Sequence, residues 1–60
     1  MDDGFRDKIR KIRERNDWSK EKLAEKVGVS LMTIYRWENG EATPRSKVIK
    51  LRIAELEASA

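Results

Sequence analysis

The side chains best suited to recognising another molecule lie in one stretch of the sequence, 29-VSLMTIYRWENG-40. If this stretch forms a helix, at about 100° per residue, Ile34 and Trp37 share one side of it. The opposite side carries Met32, Tyr35, Arg36 and Asn39. An arginine can donate two hydrogen bonds to O6 and N7 of guanine, and a tyrosine hydroxyl can bond to a phosphate or a base edge. These residue types in this pattern indicate contact with the major groove of a nucleic-acid duplex.

Two further features at the start of this stretch fit the same chemistry. Leu31 or Met32 could pack on a thymine methyl group. The unpaired backbone N–H groups at Ser30, where the helix would begin, favour a bound phosphate. The plainer alternatives are that Leu31 and Met32 cover the edge of the core, that Tyr35 is a surface aromatic residue and that Arg36 is a solvated charge.

Catalysis and metal binding have little support in the sequence. The chain contains no histidine and no cysteine, which removes the usual general base and the commonest metal ligands. Ser19, Ser30 and Ser46 have no histidine to activate them, and all three are placed as helix caps. We therefore expect no enzymatic activity, no bound metal and no cofactor.

The composition indicates one small domain with a mild preference for acidic partners. The 60 residues carry 14 Lys and Arg against 11 Asp and Glu, and the net charge of +3 favours nucleic acid. No apolar run reaches the roughly 18 residues that a membrane span needs, and no signal-peptide pattern opens the chain. We expect a cytoplasmic protein without a membrane partner, associated with the nucleoid when it is bound to DNA.

Local breaks divide the chain into four segments, and each segment is predicted to be a helix. Within a single domain, residues 1–60, the expected helices span about 3–15, 19–27, 30–39 and 44–58. Ser19 and Ser30 are placed as N-caps of the second and third helices. The fourth helix could begin at Thr43, with Pro44 in its first turn, or at Ser46.

The second and third segments are separated only by 28-GVS-30, so the chain must turn sharply between two short helices. The small residue Ala24 lies where these helices would cross closely. This spacing is typical of a helix-turn-helix, whose second helix enters a major groove. The sequence thus predicts a compact all-α domain of four helices, or of five if the last segment divides.

A wider run, 19-SKEKLAEKVGVSLMTIYRWENGEATP-44, resembles the Cro/phage-repressor-like (XRE-type) helix-turn-helix family. The likeness is closest through 20-KEKLAEKVGVS-30 and 34-IYRWENG-40, and it covers about residues 5 to 45. Members of this family are sequence-specific DNA-binding regulators, commonly repressors that bind palindromic operators as dimers. The resemblance therefore implies a repressor-like domain that regulates transcription by binding double-stranded DNA.

At matching positions, the resemblance implies two sets of DNA-contacting residues. The base-facing set would be Ser30, Leu31, Met32, Thr33, Tyr35 and Arg36. The phosphate-contacting set would be Ser19, Lys20, Asn39, Thr43 and Arg45. Lys20 departs from the family pattern, which usually has a glutamine that bonds a phosphate and braces the recognition helix. A lysine can still reach the phosphate as a point charge, but the sequence leaves the bracing open.

A structural ion pair is expected between Arg13 and Glu38. Glu38 would project beside Ile34, where a buried carboxylate without a partner is costly. Arg13 borders the apolar stripe of the first helix, one turn beyond Ile9, and is the best-placed cation. Matching family members pair these two positions, so the resemblance implies the same bridge.

The last helix is predicted to have two apolar sides. The first side, assigned to the core, consists of Ile49, Ile53 and Leu56. The second consists of Val48, Leu51, Ala54 and Ala58. A helix that is apolar on two sides usually packs against two partners, although a compact core could cover both sides. We expect a homodimer through this helix, with two copies on a palindromic operator.

Two alternative functions are compatible with the same sequence. The module also serves as the antitoxin of toxin–antitoxin pairs, in which case the partner would be a toxin. It could also be a helical adaptor that binds a protein and does not bind DNA. Because the 60 residues hold no sensor domain, we expect that any control would come from a separate sensor protein or from a change in the concentration of this one.

Overall fold

The structure is a computed structural model that describes residues 3–59 of the chain. It contains four α-helices: α1 (Asp3–Arg15), α2 (Lys20–Val27), α3 (Leu31–Glu38) and α4 (Lys47–Ala58). No strand occurs within residues 3–59, and the predicted all-α class is confirmed. Residues 1, 2 and 60 of the predicted domain lie outside the described residues.

Three serines cap the last three helices. The Ser19 Oγ accepts a hydrogen bond from the Lys22 N–H at 3.1 Å, and the Ser30 Oγ accepts one from the Thr33 N–H at 3.2 Å. Each bond satisfies a backbone donor that has no partner inside the helix. Both helices of the motif, α2 and α3, therefore begin at a serine that caps the N-terminus.

The structure selects the second of the two predicted starts for α4. The helix begins at Lys47 and not at residue 44, because the capping side chain is Ser46, whose Oγ accepts from the Ile49 N–H at 3.4 Å. Residues 42–46 are not helical, and Ala42 packs against the core. An earlier helix start would change the path of this segment. From Lys47 to Ala58 the helix is unbroken, so the domain has four helices within the described residues and not five.

The turn between α2 and α3 depends on Gly28. Its φ of 89° is in the left-handed region, which glycine adopts without steric cost. The Gly28 and Val29 N–H groups both donate to the Ala24 carbonyl, at 2.8 and 3.0 Å. These bonds end α2 and redirect the chain at once into Ser30, so α2 and α3 pack closely against each other.

Every helix contributes side chains to one hydrophobic core. The buried apolar residues are Ile9, Ile12, Leu23, Ala24, Val27, Ile34, Trp37 and Ile53. The Phe5 ring meets the Trp37 ring edge to face, with centroids 5.6 Å apart, and this contact joins α1 to α3. Since α1 and α2 both pack on α3, the orientation of α3 is fixed from two directions. In residues 3–59, no helix is both long and apolar enough to cross a membrane.

Candidate nucleic-acid interface

Helix α3 separates its side chains into a buried side and an outer face. Ile34 and Trp37 are buried in the core and anchor the helix. On the outer face, 62% of Met32 and 42% of Tyr35 are exposed, and Arg36 is exposed beside them. We call Met32, Tyr35 and Arg36 the outer face of α3. Single exposed apolar residues are common, but a group of large exposed side chains on one helix face marks a candidate site for a partner.

The remaining predicted base-facing residues lie at the N-terminal end of α3. Ser30 is exposed, whereas Leu31 and Thr33 are half-buried. The Ser30 and Thr33 hydroxyl oxygens lie 3.0 Å apart, and the Ser30 hydroxyl also caps the helix. Both hydroxyls therefore have a local partner. The side chains on this helix that are most available to a ligand are those of the outer face.

The predicted phosphate-contacting residues fall into two groups. Ser19 and Lys20 lie at the start of α2, where the Ser19 hydroxyl is engaged as the cap. Thr43 and Arg45 lie in the non-helical segment before α4, and Asn39 follows the last turn of α3. The two groups come from different parts of the chain. Lys20 of the first group contacts Tyr35 of α3, and Thr43 and Arg45 of the second line a groove beside α3.

A groove joins Thr43 and Arg45 to α3. Its walls are formed on one side by Thr33, Arg36 and Trp37, and on the other by residues 42–46 and Ile49. The groove brings two of the predicted base-facing residues together with two of the predicted phosphate-contacting residues. Asn39 does not line it. The Glu41 N–H donates to the Arg36 carbonyl at 2.8 Å, which holds the chain against the end of α3 before it enters the groove.

Lys20 contacts the outer face of α3 in a way that the sequence prediction missed. Its Nζ lies 4.6 Å from the centroid of the Tyr35 ring, within the range of a cation–π interaction. A signal was available, because a lysine at the first position of a helix opposes the helix dipole and therefore suggests another role for the charge. The identity of its partner depends on how α2 crosses α3, and sequence spacing does not supply that.

An ion pair connects α1 to the C-terminal end of α3. The Arg13 Nε donates to Glu38 Oε2 at 2.8 Å, and an Arg13 Nη donates to Oε1 at 3.1 Å. Arg10 adds a longer contact, with its Nε 3.9 Å from the same carboxylate, which the sequence analysis did not anticipate. The hydrogen bond that Arg13 donates to Glu38 raises the pKa of Arg13 by more than burial lowers it. The pair holds α3 at the opposite end from the Ser30 cap.

Within residues 3–59, no group of three or more aspartates and glutamates is arranged so that it could hold a metal ion. The buried polar or charged residue of the core, Glu38, is engaged by arginine. Around α3, the described surface offers hydrogen-bond donors, cations and an aromatic ring.

Comparison with known protein families identifies the domain type. The family model for a helix-turn-helix domain matches residues 9–56 of the chain, from the middle of α1 to near the end of α4. Neither a curated protein nor a solved structure is similar enough to the chain to count as a match. The matched range contains the outer face of α3, the groove, the Lys20–Tyr35 contact and the Arg13–Glu38 pair.

Proposed function

Because the chain belongs to the Cro/phage-repressor-like helix-turn-helix family of DNA-binding transcription regulators, we propose that it is a sequence-specific repressor that inserts α3 into the major groove. One observation carries the proposal. The outer face of α3 exposes methionine, tyrosine and arginine, while Ile34 and Trp37 on the opposite side are buried. The role is one of binding, with no catalysed reaction, and it is carried out in the cytoplasm on the DNA of the nucleoid.

In this proposal, each type of base-facing residue makes a different kind of contact with DNA. Arg36 donates two hydrogen bonds to O6 and N7 of a guanine, and Tyr35 contacts a base edge or a neighbouring phosphate. Met32 and Leu31 pack on thymine methyl groups. Ser30 and Thr33 lie where the helix enters the groove, and the backbone N–H groups there favour a phosphate. The exposure of the outer face supports these roles.

The phosphate contacts fix the register of α3 on the duplex. Lys20 and Arg45 supply the positive charges, and hydrogen bonds come from Ser19, Asn39 and Thr43. Support comes from the placement of four of these residues, since Ser19 and Lys20 lie at the start of α2, and Thr43 and Arg45 lie in the segment that borders the groove. With phosphates held on both sides, the helix between them is presented to the bases.

Salt dependence tests the proposed function against a protein-binding adaptor. A dimer that uses Lys20 and Arg45 of each copy neutralises about four phosphates, which corresponds to a roughly hundredfold loss of affinity between about 50 and 200 mM salt. A mobility-shift titration on bulk duplex DNA at the two salt concentrations measures this loss. Weak binding at both concentrations would contradict the proposal and favour the adaptor.

Two arginine variants separate base recognition from phosphate binding. Arg36→Ala should weaken binding to the preferred site by about 1–3 kcal/mol and relax the choice at one base pair. Arg45→Ala should weaken binding to all sequences alike and reduce the salt slope by about one unit for each protomer bound. Titrations of both variants on specific and random duplexes provide the measurement, and each variant is the control for the other. Identical behaviour on the two duplexes would refute this division of roles.

A homodimer through α4 completes the proposal. One recognition helix reads only a few base pairs, so a specific site requires two copies on a two-fold operator, with half-sites about 34 Å apart. Support comes from α4, where 64% of Val48 and 65% of Leu51 are exposed one turn apart. The exposed Ala54 and Ala58 continue this side of the helix and would let a second helix approach closely.

A further inference from the structure

The contact between Lys20 and Tyr35 lies at the junction of the two predicted DNA-contacting sets. Lys20 is the first residue of α2, and its Nζ is 4.6 Å from the Tyr35 ring centroid. Tyr35 belongs to the outer face of α3, and 42% of it is exposed. The ammonium group is thus held against the ring of a residue that is proposed to touch DNA. The other two lysines of α2 have different partners, since Lys22 pairs with Glu25 and Lys26 lies over the Trp18 ring.

The position of Lys20 makes this contact informative. The N-terminal end of a helix carries partial positive charge, so a cation at its first residue is unfavourable without a compensating partner. Lys20 is half-buried, which means that its aliphatic stem lies along the protein surface instead of extending into solvent. The electron-rich face of the Tyr35 ring provides the compensation for the charge.

We propose that Lys20 is a positioning residue for Tyr35 and thereby sets the base preference of that side chain, in addition to contacting a phosphate. The inference rests on the proposed function. An exposed tyrosine samples several rotamers, and each ordered side chain costs entropy on binding. The ammonium restricts the ring before DNA arrives. This is a different means of bracing α3 from the glutamine that the family usually carries.

The same ammonium can serve the ring and a phosphate together. Lys20 has three N–H donors, and the aromatic face occupies only one side of the group. A phosphate bound by the remaining donors therefore lies next to Tyr35. The Lys20 Nζ therefore links the phosphate that sets the register of α3 to the base that Tyr35 contacts. Loss of Lys20 changes both the affinity for DNA and the sequence preference.

Site selection from random duplexes tests this link with four variants. Tyr35→Ala identifies the base pair whose preference depends on Tyr35. Lys20→Gln should reduce the preference at that same base pair by about two- to fivefold, in addition to a uniform loss of affinity. Lys20→Arg should retain the preference, since a guanidinium also stacks on an aromatic ring. Lys26→Gln is the matched control, because Lys26 makes the same kind of contact with Trp18, at 5.8 Å, away from α3.

Each result has one meaning for the inference. A reduced preference in Lys20→Gln, with an unchanged preference in Lys26→Gln, supports it. If Lys20→Gln weakens all sequences by one factor and leaves the preference at the Tyr35 base pair intact, Lys20 is only a phosphate contact and the inference is overturned.

A measurement on the free protein separates this inference from the proposed function. In the NMR spectrum, the ε-methylene protons of Lys20 should be shifted upfield by the Tyr35 ring current and should lose that shift in Tyr35→Leu. If the shift is absent, Lys20 does not hold the ring, whatever the protein binds. If the shift is present but the wild type selects no sequence, the contact exists and the proposed DNA recognition fails, which also overturns the role in base preference.

Discussion

Arg13→Met should lower the free energy of unfolding by about 3–5 kcal/mol, because it leaves the Glu38 carboxylate without its main partner in the protein interior. Only 4% of the Glu38 side chain is exposed, and the nearby Arg10 makes the longer contact of 3.9 Å. Glu38→Gln should cost less. The Arg13 side chain is 21% exposed, so its guanidinium can regain contact with water when the carboxylate is removed.

A double-mutant cycle isolates the coupling between the two groups. Replacing both partners by apolar residues, Arg13→Met with Glu38→Leu, should cost much less than Arg13→Met alone, because no buried carboxylate is left unpaired. Urea unfolding followed by circular dichroism measures each free energy. If a single variant is largely unfolded, recovery of the helical signal in the double variant is the equivalent result.

The chain contains a matched control pair. Lys22 and Glu25 form an exposed ion pair at 3.5 Å on the surface of α2, for which the expected coupling is about 0.2–0.5 kcal/mol. The Arg13–Glu38 coupling should be several times larger. A coupling no larger than that of the surface pair would mean that the bridge does not hold α1 to α3.

The direction of the Arg13 pKa determines how this stabilisation depends on pH. The hydrogen bond that Arg13 donates to the Glu38 carboxylate raises the pKa of Arg13 in the folded protein. The stabilisation due to the protonated guanidinium is therefore complete below the ordinary arginine pKa, and it is lost only as the pH rises through the higher folded value. Because Arg13 stays protonated at every pH used for a DNA-binding measurement, its part of the stabilisation should be the same at each of them.

Periodicity accounts for what the sequence predicted about α3. Residues three apart share a side of a helix, so Ile34 and Trp37 had to be buried together if the stretch was helical, and Met32 and Tyr35 had to face outward. The structure has this arrangement. The burial of Glu38 followed from the same spacing, since it is four residues beyond Ile34. Local rules were sufficient here because one helix carries all of these residues.

Tertiary contacts account for what the sequence left open or missed. Thr43 with Pro44 and Ser46 are both acceptable helix starts by local chemistry, and Ser46 is the cap in a chain whose preceding segment packs Ala42 on the core. The contact between Lys20 and Tyr35 likewise depends on the crossing of two helices. Arg10 was missed for a similar reason, because its distance from Glu38 is set by how α1 lies on α3. The spacing of residues within one helix predicts none of these three features.

Leu51→Glu should weaken binding to a palindromic operator by about a hundredfold or more, while affinity for a single half-site stays the same. The reason is that a dimer binds its second half-site at a high effective concentration, and this advantage disappears when the copies separate. Leu51 is 65% exposed on α4, next to the equally exposed Val48, so a carboxylate there is tolerated by the monomer but not in an apolar interface.

Two further variants distinguish loss of the interface from repulsion between DNA and the added charge. Leu51→Gln adds no charge and should still weaken palindrome binding strongly. Gly4→Glu adds the same charge to α1, where the position of a new Cβ has nothing within 4 Å, and should bind as the wild type does.

Sedimentation with and without an operator duplex reports the stoichiometry directly. Wild type should place two copies on each palindrome, with half-sites about 34 Å apart, and Leu51→Glu should occupy the half-sites independently. The homodimer through α4 would be refuted if the wild type saturates at one copy per duplex, and a toxin or sensor protein would then be the next partner to test on this side of the helix. The same conclusion would follow if Leu51→Glu binds the palindrome as tightly as the wild type, because a dimer that uses Val48 and Leu51 cannot survive a buried, unpaired carboxylate at its centre.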